Sequence, residues 1–244
     1  MCLLILLQGF DPEVPILVAS NRDELRTRRA APPGLFVGER HRIVSPRDRA
    51  EGGTWMGVND VGMFAGLTNL AESKHHPEAV TRGQIPHLAL DANDLETAVQ
   101  VVTDRVAAEC FNGFQLLLAL GQDAVVLVHQ DGVVDRLEVE GPVAVISNEH
   151  RLGELDLNGL SSACTEGQTV EQLLAELKPL LLDEGGESGH AVLKKGEVYG
   201  TVSSSLIAVR PRDPRHMTWL YAAGAPDVAE YRNYGNIGRR LIEE

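Results

Sequence analysis

Short apolar runs set in adjacent pairs restrict the fold of this chain more than any other feature. Cys2 to Leu7 is continuous and apolar, Asp11-Pro12 breaks it, and Ile16 to Ala19 resumes it. A break after about eight residues comes too early for a typical helix of about 10–14, so this pair reads as a hairpin of buried strands. Thr54 to Val58 and Met63 to Leu67 make a second pair, joined by the turn-forming Asn59-Asp60-Val61-Gly62. Phe114 to Leu120, Ala124 to His129 and Pro142 to Ser147 read as further buried strands punctuated by Gly121 and Gly141, and Thr201 to Val209 and Met217 to Ala222 as the last.

Helical spacing is confined to two places. Between Asp94 and Ala108 the apolar residues Leu95, Ala98, Val99, Val102 and Val106 recur at three and four, with Asn93 placed to cap the first turn. Val170 to Leu182 is the second, with Pro179 expected to end or kink it. Arg26 to Pro33 reads as loop, Ala71 to Gly83 as a surface loop able to act as a lid, Glu184 to Gly189 as a flexible acidic loop, and the residues after Ala222, with Tyr231, Tyr234 and several Arg, as a polar tail. Paired strands with helices bunched between them predict α+β layering, compatible with a helix-sheet-sheet-helix sandwich, and not βαβ alternation. With 244 residues and no repeat or linker, a single domain over residues 1–244 is expected.

Composition excludes several functions. Lys and Arg total 22 against 35 Asp and Glu, a net charge of −13, so the molecule as a whole repels nucleic-acid backbones and anionic membrane surfaces. No stretch approaches the roughly 20 apolar residues of a transmembrane helix. The opening apolar run lacks a basic n-region and a small-residue cleavage site, which predicts a cytoplasmic protein. Three cysteines, an odd number, argue against a disulfide framework. His75-His76 has no partner pair at metal-ligand spacing, and Gly52-Gly53 and Gly185-Gly186 form no dinucleotide or phosphate-loop fingerprint, so no metal or cofactor is expected.

Cys110 and Cys164 read as ordinary semi-buried thiols, but Cys2 occupies an odd place for one. Methionine removal tolerates a small second residue, and trimming would put a thiol and a free α-amine on the same residue. The thiol ordinarily titrates near about 8.5 and the amine near about 7.7–8.0, so one residue then supplies nucleophile and base.

Met1-Cys2 before an apolar strand, Asn21-Arg22-Asp23-Glu24 and Gly52-Gly53-Thr54-Trp55-Met56-Gly57-Val58-Asn59 resemble the NRDE family, whose eukaryotic members are called transport and Golgi organisation proteins. Ala65-Gly66-Leu67-Thr68-Asn69, Asn112-Gly113-Phe114, Ser147-Asn148-Glu149 and Tyr199-Gly200-Thr201 extend the resemblance over most of the chain. It implies a four-layer αββα sandwich similar to the cysteine-type N-terminal nucleophile (Ntn) hydrolases, the choloylglycine hydrolase and penicillin V acylase group. The activity implied is cleavage of a non-peptide carbon–nitrogen amide bond through an acyl-thioester, with Cys2 as nucleophile and Asp23 orienting its amine. Asn69, or Thr68 by strict register, and Asn148 would then stabilise the oxyanion, with Arg22 and Trp55 contacting substrate.

The rival implied by the eukaryotic relatives is a non-catalytic carrier of haem or of an acyl or lipid ligand on the same fold. Two departures are visible. Relatives usually read Tyr-Gly-Thr-Arg where this chain has Val202, which removes one anion contact, and the related hydrolases carry their Arg where this chain has Ser20. Adjacent strand residues also point to opposite faces, so Arg22 and Asp23 can both face Cys2 only if the chain turns at Asn21. Read without the resemblance, Asn21 to Glu24, Asn69 and Asn148 are turn residues and Trp55 belongs to a hairpin core.

Overall fold

A computed structural model describes residues 2–157, 160, 164, 167–185, 190–211 and 213–242. Strands β1 (Leu3–Gln8), β2 (Ile16–Leu25), β10 (Val143–Ser147), β11 (Tyr199–Val209), β12 (Thr218–Ala222) and β13 (Tyr231–Asn233) form one sheet in the order β10-β1-β2-β11-β12-β13. The other sheet runs consecutively through β3 (Ala30–Val37), β4 (Arg42–Asp48), β5 (Met56–Asn59), β6 (Phe64–Asn69), β7 (Phe114–Leu120), β8 (Asp123–Gln130) and β9 (Val133–Glu138). All the sheet pairings are antiparallel.

The apolar run of β1 is continuous because both its faces are covered. Leu4 and Leu6 enter the core between the sheets beside Phe64, Leu117, Val126 and Trp219, while Leu3, Ile5 and Leu7 pack with Leu173, Leu174 and Leu177 of helix α3 (Val170–Leu180). The second sheet divides in the same way. Leu117 and Ala119 of β7 face inward, and Leu116 and Leu118 face Ala98 and Val102 of α2 (Leu95–Ala108) and Ala89 of α1 (Ile85–Leu90). Three apolar layers between helix, sheet, sheet and helix are the four-layer αββα arrangement. Among the described residues no helix is long and apolar enough to cross a membrane.

Local chemistry accounts for the helix ends. Thr169 and Gln172 form a reciprocal capping box at α3, and Pro179 falls in its last turn, where the helix stops. Asp94, not Asn93, caps α2 by accepting from Thr97 N, while Asn93 is held by His41 Nε2 at 3.0 Å. The basic stretch expected to be loop becomes strand from Ala30, because β4 supplies a partner that composition does not reveal; β4 and β9 carry too many charged residues to stand out as apolar runs. Cys164 is buried and Cys110 exposed, so neither is semi-buried, and residues 186–189 of the expected acidic loop lie outside the described residues.

Candidate active site

Cys2 lies at the entry to β1, on the inward side that Leu4 and Leu6 continue. Two neighbours fix its backbone. Pairing of Leu3 with Asn21 places Arg22 opposite Cys2 on β2, and on the other side Asn148 N donates to the Cys2 carbonyl at 3.2 Å, prolonging the β1–β10 ladder. The Cys2 thiol donates to the Asp23 carbonyl, Sγ to O 3.6 Å.

The strand geometry answers the conflict between Arg22 and Asp23 without a turn at Asn21. β2 runs unbroken to Leu25, and the irregularity lies in its partner, where β11 shifts register between Thr201 and Ser203 and leaves Val202 as the extra residue. Arg22 therefore shares the inward face with Cys2, and Asp23 projects to the face that carries Asn21, whose amide bridges the Leu181 and Val192 carbonyls beyond α3. Asp23 is 3% exposed and accepts from Thr201 Oγ1 at 2.6 Å, and Tyr199 Oη donates to its carbonyl at 3.0 Å. Burial pushes the Asp23 carboxyl up, opposed by the positive charge of the amino terminus and the Thr201 hydrogen bond. Burial, then the Asp23 charge, push the Cys2 thiol up as well.

Beside Cys2 opens a cavity of about 490 Å³. Cys2, Arg22, Trp55 and Asn69 line it together, although they come from β1, β2, the approach to β5 and the end of β6. Arg22 is 6% exposed, its guanidinium stacked 4.4 Å from the Trp55 ring centroid and 3.5 Å from Glu24. Asn148 does not itself line the cavity: its Oδ1 accepts from Asn69 N at 3.0 Å, which ties it to the cavity-lining Asn69, and its carbonyl accepts from Ala71 N. Gln115 strengthens the same seam by donating from its buried amide to the Ser147 and His150 carbonyls. Thr68 and Asp23 do not line the cavity; Thr68 is fully buried on the inward face between the sheets.

The segment read as a surface loop able to act as a lid does border the cavity, with Val80, Thr81, Arg82 and Gly83 along its wall. Gly53 presses against Gly83, and Thr54 N donates to the Gly83 carbonyl at 2.9 Å. Arg82 donates to the Gly113 carbonyl at 2.8 Å, and burial lowers its pKa. Sequence reasoning missed Arg82, Arg28 and Thr201 as members of the site. Only Thr201 carried a signal, as the end of Tyr199-Gly200-Thr201.

This architecture has solved counterparts. Penicillin V acylase from Agrobacterium tumefaciens matches with a TM-score of 0.59 at 13% identity, over 91% of this chain and 83% of that one. A Caenorhabditis elegans ortholog of N-acylethanolamine-hydrolyzing acid amidase matches at 0.58 and 11%, over 86% and 93%. A single-residue variant of conjugated bile acid hydrolase from Clostridium perfringens matches at 0.53 and 9%, over 96% of each chain. The fold is thus the α+β sandwich of the Ntn hydrolases, and identities this low extend the likeness to the fold alone.

Sequence comparison narrows the class to a family: this chain belongs to the Transport and Golgi organisation 2 family, whose pattern matches residues 1–220. The mouse homolog is 33% identical over 111 residues, 43% of this chain, and the human homolog shows the same figures. These matches span 38% of each homolog's length.

Proposed function

We propose that this protein is an N-terminal-cysteine amidohydrolase acting on a non-peptide carbon–nitrogen amide bond, with residues 1–244 working as one unit in the cytoplasm. The observation that carries the reading is the Cys2 thiol opening on a cavity whose walls place Arg22 and Asn69 beside it.

With Met1 removed, the Cys2 α-amine takes the thiol proton and the thiolate attacks the amide carbonyl carbon, forming the C–S bond as the carbonyl electrons move to oxygen. Asp23 holds the amine, and the side-chain amides of Asn69 and Asn148 donate to the oxyanion; one such donor is worth about 3–4 kcal/mol. Collapse breaks the C–N bond, the α-ammonium protonates the leaving amine, and water then cleaves the thioester to release a carboxylic acid and restore the thiol. Arg22 receives an acidic substrate group and Trp55 flanks it. Thr68, being buried away from the cavity, supports the Asn69 backbone in this scheme.

Two measurements test the reading. Intact mass of the mature protein is expected to lack Met1, and retention of Met1 refutes the mechanism. On a panel of acyl amides Cys2→Ala is expected to abolish turnover, and equal turnover removes the thiol from the reaction.

One observation favours a second reading, a carrier of haem or of an acyl or lipid ligand: Val202 stands where relatives usually carry an arginine, which removes one cation that could hold an anionic substrate. Haem titrated into the protein, with Cys2→Ala as control, then gives a thiol-dependent change in the haem absorption band, and an absorption unaffected by the protein refutes haem carriage.

A further inference from the structure

Adjoining the Cys2 cavity lies a second recess of about 340 Å³, lined by Arg22, Arg26, Arg28, Arg29 and Arg49, with Val202 and Tyr221 among its uncharged walls. Arg22 and Arg28 line both spaces, so the two are contiguous. Arg28 is paired with Asp48 and Arg22 with Glu24. Arg26, Arg29 and Arg49 have no carboxylate within ion-pair distance among the described residues; Arg26 Nε instead donates to the Gly196 carbonyl at 2.8 Å. Arg22 adds a second, independent observation: it is 6% exposed, and its buried Nη1 has no hydrogen-bond partner.

Such a grouping is anomalous in a chain of net charge −13. Like charges gathered in a concave recess repel one another, and a buried guanidinium N–H without an acceptor costs its desolvation. An anion with several oxygens would offset both penalties, because guanidiniums present forked donors matched to phosphate. A single carboxylate offers these groups two oxygens, whereas linked phosphates offer several oxygens and more than one negative charge.

We propose that this recess binds a small molecule bearing linked phosphate groups. Binding stands apart from hydrolysis. Its use as an anchor, so that the amide reaching Cys2 belongs to an anionic phosphorylated substrate, rests on the reading of Cys2 as nucleophile.

The test is calorimetric titration of the full chain with inorganic pyrophosphate and, separately, orthophosphate. Pyrophosphate is expected to bind at least tenfold more tightly than orthophosphate. Arg29→Ala and Arg49→Ala, both exposed positions whose loss leaves the core untouched, are each expected to weaken it by about tenfold. Arg232→Ala, an exposed arginine on β13, and Cys2→Ala are expected to bind as the parent does. Absence of pyrophosphate binding, equal affinity for the two anions, or equal weakening by Arg232→Ala overturns the site. Pyrophosphate binding in a protein that turns over no amide leaves the site standing and refutes the hydrolase reading alone.

Discussion

Replacing Thr201 by valine isolates the contact that holds Asp23 behind Cys2. Thr201 is fully buried, its Oγ1 donating to Asp23 Oδ1 at 2.6 Å and accepting from Lys194 N at 3.0 Å. Valine keeps the shape and removes both bonds. A hydrogen bond to a charged group contributes about 1.5–3 kcal/mol and a neutral one about 1 kcal/mol, so Thr201→Val is expected to destabilise by about 2.5–4 kcal/mol at neutral pH. The loss has a pH signature. The folded Asp23 pKa already lies above its ordinary value, so stability falls as pH rises from the unfolded pKa through the folded one. Removing the Thr201 donor raises the folded pKa further and extends that fall to higher pH. The difference between parent and variant is therefore smallest in acid, where Asp23 is protonated in both, and widens as pH rises. Urea unfolding followed by the fluorescence of the buried Trp219 measures it. A deficit under about 0.5 kcal/mol at neutral pH, within the range of ordinary surface substitutions, or one that grows toward acid, refutes the reasoning.

Asp23→Asn removes the charge that helps push the Cys2 thiol up, so in a Cys110→Ser background iodoacetamide is expected to alkylate Cys2 at lower pH than in the parent. An unchanged alkylation profile means that burial alone sets the thiol. Gly53→Ala would drive a Cβ into the Gly83 backbone, forcing the cavity wall outward. It is expected to lower stability and to speed amide exchange in residues 81–84, and unchanged exchange there shows that the wall yields without opening.

Burial on both faces made part of the fold legible in the sequence. β1, β7 and β8 stand out as continuous apolar runs because each is sandwiched between two cores, and α2 because one stripe alone meets the sheet. β3, β4 and β9 escaped notice because they lie at or near one margin or the other of their sheet, with exposed faces that admit charge and proline. The site was legible where motif residues fall on one seam: Cys2, Arg22, Trp55 and Asn69 share a cavity. Arg82 was not, since a lone arginine in an irregular segment looks the same whether it faces solvent or, as here, a cavity wall. Thr68 and Asn69 illustrate a finer limit, because a one-residue difference in register decides which of the two reaches the cavity.

By itself the chain determined which segments pair with their neighbours, the layered α+β class and the chemical oddity of a cysteine at position two, because each is written in local spacing and composition. Only the tertiary structure decided that Arg22 and Asp23 serve opposite faces of one unbroken strand, that the bulge belongs to β11, and that arginines from β2, from the turn after it and from the loop after β4 surround a single recess. Those outcomes depend on register between strands far apart in sequence, and register is set by the packing of whole sheets, which no local pattern encodes.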